Sequence, residues 1–259
     1  MEKLGFIGMG NMGGALADGT IRAGVIDKEQ VYAFAPHQDR LKERARRIGF
    51  HPVAALHDLV EICDTLVMAC KPHQIEEVLS EIGDQLKGKA LLSIAAGWDF
   101  ARYDRHLSSR VRIQCIMPNT PAMVGEGVFL LEETHSLEDE EREAVIRMLS
   151  AIGMVQELPS AQMGIGGAIA GCGPAFVDLL MEAYADAAVK YGVRREVAYA
   201  LVAKTVLGAA KLQLATGEHP GVLKDQVTSP GGTTIRGVAA LEEHGLRSAC
   251  IKSIDVIME

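Results

Sequence analysis

The chain has 259 residues with a formal net charge of −8 and a pI near 5.5, which excludes nucleic-acid binding through a general basic field and leaves any anionic ligand to be held by local geometry. Apolar residues make up 48% and aromatics only 5%, with 27 glycines, a composition that suits α/β layers packed on Ala, Val, Ile and Leu in one large or two modest domains. The five cysteines, Cys63, Cys70, Cys115, Cys172 and Cys250, form an odd set without a C-x-x-C pair, and with no basic leader and no uninterrupted apolar stretch near the roughly 20 residues of a membrane span, a soluble cytoplasmic protein with free thiols is expected.

Residues 3–7 read as a short strand that runs into Gly8-Met9-Gly10-Asn11-Met12-Gly13, followed by a helical pattern with Ala15, Leu16 and Ile21. This is G-x-G-x-x-G in strand-to-helix context. The first glycine allows the tight turn, the second lets a pyrophosphate approach the backbone, and the third lets helix and strand pack closely. Gly8, Gly10, Asn11, Met12 and Gly13 are therefore expected to hold a dinucleotide. The second strand, 31–35, ends in Ala35-Pro36-His37-Gln38, without the acid that an NAD site carries there for the ribose hydroxyls. Asp39 falls at the next helix start. Pro36 and His37 are placed at the cofactor, and His37, Arg40 and Lys42 can meet a 2′-phosphate, so NADPH is favoured over NADH. Arg40 and Lys42 can equally do no more than solvate a helix face.

The alternation continues with helices near 39–47 and 55–63 and a continuous apolar strand at 65–70, suited to burial on both faces. It ends in Lys71-Pro72-His73, at the sheet edge where parallel sheets bind ligands; the plainer reading is a strand stop with a solvated Lys71. A helix at 74–85 and strands at 90–95 and 111–116 follow. The last of these closes in Met117-Pro118-Asn119-Thr120-Pro121, where Asn119 can bond the amide of a nicotinamide or cap the turn. A strand at 127–131, a helix at 137–152 with an acidic first turn that complements its dipole, and a strand at 155–158 complete the alternation.

Strand signals fade after Pro159, so the domains are expected at 1–159 and 160–259. Gly171-Cys172-Gly173-Pro174-Ala175 opens a helix whose Phe176, Leu180, Ala183 and Ala187 share a face. Another helix carries Ala198, Leu201, Val202, Thr205 and Ala209. These Ala-rich faces suit a helical domain that also dimerises, or an ordinary internal bundle. Next comes Ser229-Pro230-Gly231-Gly232-Thr233-Thr234, a bare turn feeding a helix start. Free N–H groups and threonine hydroxyls there attract a small anion such as a carboxylate, although Ser/Thr before a helix also makes a plain cap. Final helices are expected at 233–244 and 247–258.

Taken together, Gly8 to Gly13, Lys71-Pro72-His73, Met117 to Pro121, Gly171-x-Gly173-Pro174-Ala175 and Asp225-x-Val227-Thr228-Ser229-Pro230-Gly231-Gly232-Thr233-Thr234 resemble, in order and over the full length, the pyrroline-5-carboxylate reductase family. The resemblance implies a Rossmann-type doubly wound sheet followed by an all-helical dimerisation domain, in homodimers sometimes assembled as decamers. It also implies NAD(P)H-dependent reduction of the ring imine of 1-pyrroline-5-carboxylate to L-proline. Gly231, Gly232 and Thr233 are then expected to take the substrate carboxylate on backbone N–H groups. Thr234 matches the family's ring-contacting threonine and is expected to bond the imine nitrogen, with Ser229 a weaker candidate. Hydride transfer to C=N needs neither metal nor nucleophile triad. Cys172 stands where the family usually has serine. A β-hydroxyacid dehydrogenase would carry a catalytic lysine four residues before an asparagine on the helix after the glycine-rich turn, and the run 171–182 contains neither residue. A non-catalytic nucleotide-binding regulator remains the reading from another class.

Overall fold

A computed structural model describes residues 2–108 and 110–259. It divides into two compact units, Met1–Gly171 and Cys172–Glu259. The first contains β1 (Leu4–Ile7), α1 (Asn11–Arg22), β2 (Val31–Phe34), α2 (Gln38–Ile48), β3 (His51–Pro52), α3 (Leu56–Ile62), β4 (Thr65–Met68), α4 (Ile75–Ile82), β5 (Ala90–Ser93), α5 (Phe100–His106), β6 (Arg112–Pro118), β7 (Gly127–Glu132), α6 (Asp139–Ser150), β8 (Gly153–Leu158) and α7 (Met163–Gly167). The sheet order is β3-β2-β1-β4-β5-β6-β7-β8. Strands β1 to β6 pair in parallel, β7 runs antiparallel to β6, and β8 is parallel to β7.

Alternate residues of the central strands feed two separate cores, as the period-2 pleat requires. Phe6, Val67 and Leu92 join one cluster with Leu16, Phe129 and Met148. Ile7, Leu66, Met68 and Leu91 join the other with Leu59, Tyr103 and Ile113. Covering both faces explains why β1 and β4 are buried at every position and read as unbroken apolar runs. In α2, Leu41, Ala45 and Ile48 form the buried stripe, and Gly49 in the left-handed region ends the helix. The chain leaves β1 for β2 on one side and returns to β4 on the other. The carboxyl ends of β1 and β4 therefore flank the topological switch point where open α/β sheets bind ligands.

Two elements of this unit had no sequence expectation. β3 is two residues long and ends in proline, and α5 buries only Tyr103, too little to make a periodic signal. The strand expected at 65–70 stops at Met68, leaving Ala69 and Cys70 to turn toward the ligand edge. The glycine-rich stretch after β8 is helical, with α7 followed by a π-helical turn at Ala168–Cys172.

The second unit holds α8 (Gly173–Lys190), α9 (Arg195–Thr216), α10 (Pro220–Gln226), α11 (Thr233–Glu243) and α12 (Leu246–Met258). Helices α8 and α9 pack together as a hairpin. Only Ala185 and Ala198 are buried in these helices, while Leu179, Leu201, Leu214 and Val256 are between 57% and 74% exposed. The helical runs Ser160–Lys190 and Arg195–Thr216 are long and apolar enough to cross a membrane by length and composition alone, with mean hydropathy 1.5 and 1.3. That departs from the expectation drawn from uninterrupted apolar stretches, because isolated polar residues break the run without making the helix polar. Helices that are apolar on several faces need a partner surface.

Candidate active site

The candidate dinucleotide site is built at the switch point of the first unit. Gly8 leaves β1 with φ +96°, a left-handed conformation, and a side chain there would meet the backbone N of Cys70 at 2.7 Å. The chain can pass so close to the end of β4 only as glycine. The Gly8 N–H donates to the Phe34 carbonyl at 2.8 Å and the Ala69 N–H to the Ile7 carbonyl at 2.9 Å, fixing the ends of β1, β2 and β4 to one another. Gly13 packs where a Cβ would approach the Gly8 carbonyl at 3.0 Å and the Ala69 methyl at 3.3 Å. Gly10 differs from both. It is the N-cap of α1 in extended conformation, no side chain caps that end, and a Cβ there would meet nothing within 4 Å.

Beyond Gly10 lies a cleft of about 540 Å³ lined by Gly8, Gly10, Asn11 and Met12, by Ala69 to Pro72, by Ile94 to Ala96 and by Thr120. It combines an uncapped helix N-terminus, bare backbone, apolar walls and one cation, Lys71. No carboxylate lines it. This donor set fits a dinucleotide diphosphate, and the open surface at Gly10 supplies the cradle. Cys70 also lines the cleft, but burial pushes its thiol up to about 11, so it remains protonated and unsuited to nucleophilic work at neutral pH.

Gly8, Gly10, Asn11, Met12, Lys71 and Pro72 thus come together around one cleft, with Gly13 directly beneath. Pro36 and His37 are exposed at the end of β2, where Gln38 holds the turn by donating to the carbonyls of Ala35 (3.0 Å) and Val53 (3.2 Å). Asp39 lies in the first turn of α2. Asn119 does not line the cleft. It is 5% exposed, its Nδ2 donates to the Ala170 carbonyl at 2.9 Å, and its Oδ1 accepts from the Val128 N–H at 2.8 Å. Its side chain makes no bond that caps the turn it opens, tying that turn to Ala170 and Val128 instead, and its neighbour Thr120 lines the cleft. No sequence pattern pointed to Trp98, a buried ring whose Nε1 donates to the Pro72 carbonyl at 3.2 Å. Arg102 stacks on that ring at 4.0 Å, bracing the Lys71-Pro72 turn from outside the cleft.

The loop of the second unit lies between α10 and α11. The Ser229 carbonyl accepts from the Gly232 N–H at 3.0 Å across Pro230 and Gly231, with Gly231 at φ +71°, a proline-glycine β-turn. The Gly232 amide was expected to be free for a carboxylate; it is engaged in this turn. A Cβ at Gly232 would lie 2.5 Å from Ser229 Oγ and 3.1 Å from the Ser229 carbonyl, so the serine side chain would have to turn to admit one. Gly232 serves as the N-cap of α11 without any side-chain cap. Among the described residues no hydrogen bond is made by the N–H groups of Gly231, Thr233 or Thr234 outside the helix ladder. Thr233 and Thr234 are exposed. The loop therefore presents a bare helix start with two hydroxyls beside it, a chemistry that suits a small anion.

Family models match both parts of the chain. A family model described as pyrroline-5-carboxylate reductase dimerisation matches residues 160–259, and one described as NADP oxidoreductase, coenzyme F420-dependent, matches residues 3–97. The pyrroline-5-carboxylate reductase of Treponema pallidum is 40% identical over 256 residues, covering 97% of each chain. That of Escherichia coli is 37% identical over 259 residues, covering 100% of this chain and 96% of its own. The crystal structure of Plasmodium falciparum pyrroline carboxylate reductase with NADP bound superposes with a TM-score of 0.91 at 32% identity, covering 99% of this chain and 96% of that one. With relatives this similar over nearly its whole length, the chain belongs to the pyrroline-5-carboxylate reductase family.

Proposed function

We propose that the chain reduces 1-pyrroline-5-carboxylate to L-proline, the closing step of proline biosynthesis, with NADPH as the preferred cofactor and NADH as the second. The observation that carries this reading is one chain holding both a carboxylate-free dinucleotide cleft at Gly8–Gly13 and an uncapped anion seat at Ser229–Thr234. The absence of an acid at Pro36-His37 supports NADPH. When bound, the dinucleotide supplies the hydride for the imine carbon. Gly8, Gly10, Asn11, Met12 and Gly13 hold its diphosphate, with Lys71 and Pro72 at the edge and Pro36 and His37 toward the adenosine ribose. Asn119, next to the cleft-lining Thr120, holds the turn after β6 through its bonds to Ala170 and Val128.

The N–H groups of Gly231 and Thr233 take the substrate carboxylate, with Gly232 shaping the turn. The Thr234 hydroxyl donates to or accepts from the ring nitrogen, and Ser229 lines the same seat. A threonine hydroxyl is too weak an acid to yield a free proton at neutral pH, so Thr234 orients the ring while water or an already protonated iminium provides the proton. The work of the protein is distance and facial orientation. The functional division falls at 1–159 for the cofactor and 160–259 for substrate and assembly, in a cytoplasmic homodimer or a decamer of five dimers. The test is steady-state oxidation of NADPH and of NADH with 1-pyrroline-5-carboxylate. Proline formation with a higher kcat/KM for NADPH is expected, and no oxidation with either cofactor would overturn the proposal.

A further inference from the structure

Arg44 lies on α2, outside every motif of the sequence, yet its guanidinium reaches the glycine loop. Nη1 donates to the Gly10 carbonyl at 2.5 Å and Nη2 to Asn11 Oδ1 at 3.2 Å. The same Gly10 carbonyl accepts from the Gly14 N–H at 2.9 Å, so it is directed into the α1 ladder. With that carbonyl held inward, the N–H groups of the first turn of α1 point out of the helix end toward the cleft. A second observation is independent of these bonds. The arginine crosses α1 at Gly14, where a Cβ would sit 3.0 Å from Nη1. The glycine following the motif is thus the one that leaves room for the guanidinium. Among the described residues Arg44 forms no ion pair, so the protein leaves its charge un-neutralised beside the loop.

We propose that Arg44 is a positioning residue for the dinucleotide. It fixes the Gly10–Asn11 peptide so that the amides of the first α1 turn are preset for a diphosphate, and it keeps a positive charge beside them. This rests on the reading of the Gly8–Gly13 cleft as the cofactor site. The planar fork matters as well as the charge: a lysine keeps the charge but cannot bridge the Gly10 carbonyl and Asn11 in one plane. The diphosphate is common to both cofactors, so the effect must be common to both.

The experiment titrates NADPH and NADH into the free enzyme, without imine substrate, for the wild type, Arg44→Ala, Arg44→Lys and Arg47→Ala, and records Tm for each. Arg47 lies on the same helix and makes no bond to the loop. Expected is a loss of about tenfold in affinity for both cofactors in Arg44→Ala. Arg44→Lys should fall between the two, Arg47→Ala should bind as wild type, and KM for the imine substrate should stay within about twofold. Should Arg44→Ala melt too low to titrate, Arg44→Lys carries the test, because it retains the charge and the aliphatic stem while losing the planar fork. Unchanged binding would overturn the proposal. So would weakening confined to NADPH, which would make Arg44 a direct partner of the 2′-phosphate, or an equal loss in Arg47→Ala, which would reduce the effect to a diffuse field. A wild type that binds neither dinucleotide would instead overturn the cofactor reading on which the proposal rests.

Discussion

Gly8→Ala and Gly10→Ala add the same methyl group to the same loop, and their outcomes should diverge. At Gly8 the backbone is left-handed with φ +96°, and the new Cβ would lie 2.7 Å from the Cys70 nitrogen and 2.8 Å from the Ala69 carbonyl. Both neighbours are backbone, so the end of β4 must move. The left-handed placement costs about 1–2 kcal/mol and the overpacking about 1–3 kcal/mol, and at roughly 2–4 °C per kcal/mol the Tm should fall by roughly 10 °C. At Gly10 the backbone is extended, φ −75° and ψ −161°, and the methyl enters open space. Its folded state carries no strain, and the stiffer unfolded chain adds about 0.4–1 kcal/mol of stability. Binding should suffer instead, because the methyl occupies the surface that a diphosphate must approach; a loss of about 10- to 100-fold in NADPH affinity corresponds to about 1.4–2.8 kcal/mol. Thermal melts and NADPH titrations on the same preparations separate the two effects. Wild-type NADPH affinity in Gly10→Ala, or a wild-type Tm in Gly8→Ala, would refute the reasoning from the loop geometry.

Thr234→Ala removes the hydroxyl assigned to the ring nitrogen. It should lower kcat/KM for 1-pyrroline-5-carboxylate by about 10- to 100-fold, the worth of about 1.5–3 kcal/mol of hydrogen bonding to a charged group, while the NADPH titration stays unchanged; full activity would remove Thr234 from the mechanism. Asn119→Ala leaves the Val128 N–H and the Ala170 carbonyl without their partner. It should cost about 2–5 kcal/mol in a urea melt, and a loss of cofactor affinity at unchanged stability would reverse the structural assignment. Arg112 donates to both oxygens of Glu141, at 2.7 and 2.6 Å. Those bonds hold the Glu141 carboxyl below the ordinary carboxylate range; burial opposes them and the Glu138 N–H assists them. A depressed folded pKa contributes stability that is present above the unfolded value and is lost as pH falls through the folded one. Glu141→Gln should therefore cost about 1 kcal/mol near neutral pH, discounted for its partial exposure. The difference between mutant and wild type should begin to shrink near the unfolded carboxylate value of about 4.3 and vanish only below the lower folded one.

How legible each part was in the sequence follows from how local its cause is. The glycine loop could be read because its G-x-G-x-x-G spacing lies whole inside one strand-turn-helix unit, although the backbone that demands glycine at Gly8 belongs to Ala69 and Cys70, and β1 and β4 because burial on both faces forces unbroken apolar runs. β3 and α5 were invisible: a two-residue strand has no alternation to detect, and a seven-residue helix burying one tyrosine has no stripe. Arg44 and Trp98 act on backbone carbonyls of Gly10 and Pro72, 34 and 26 residues away in sequence. No spacing rule encodes such a contact. Asn119 was recognised as special, but its polar side chain admitted either a ligand or a turn until the positions of Val128 and Ala170 were known. In the Ser229–Thr234 loop the residue types revealed a bare helix start. Only coordinates could show that the Gly232 amide closes the turn.

Assembly and chemistry are joined in the second unit by the same surface. The first unit covers both faces of its sheet with its own helices and has two complete cores. In the second, the helices bury little beyond Ala185 and Ala198 and leave leucines on α8 and α9 bare. Ordering a backbone costs about 1–2 kcal/mol per residue, and helices without an apolar contact surface cannot offset it. Their final arrangement therefore depends on covering that surface with another copy, in agreement with the dimerisation model matching residues 160–259. The Ser229–Thr234 loop belongs to this unit, suspended between α10 and α11, with the Gly232 amide closing its turn and those of Gly231 and Thr233 uncapped. On the proposed function, the substrate seat made of backbone N–H groups is only as well defined as the helices that carry it, so loss of assembly should loosen the seat while the dinucleotide cleft, resting on the self-sufficient sheet, should keep its shape.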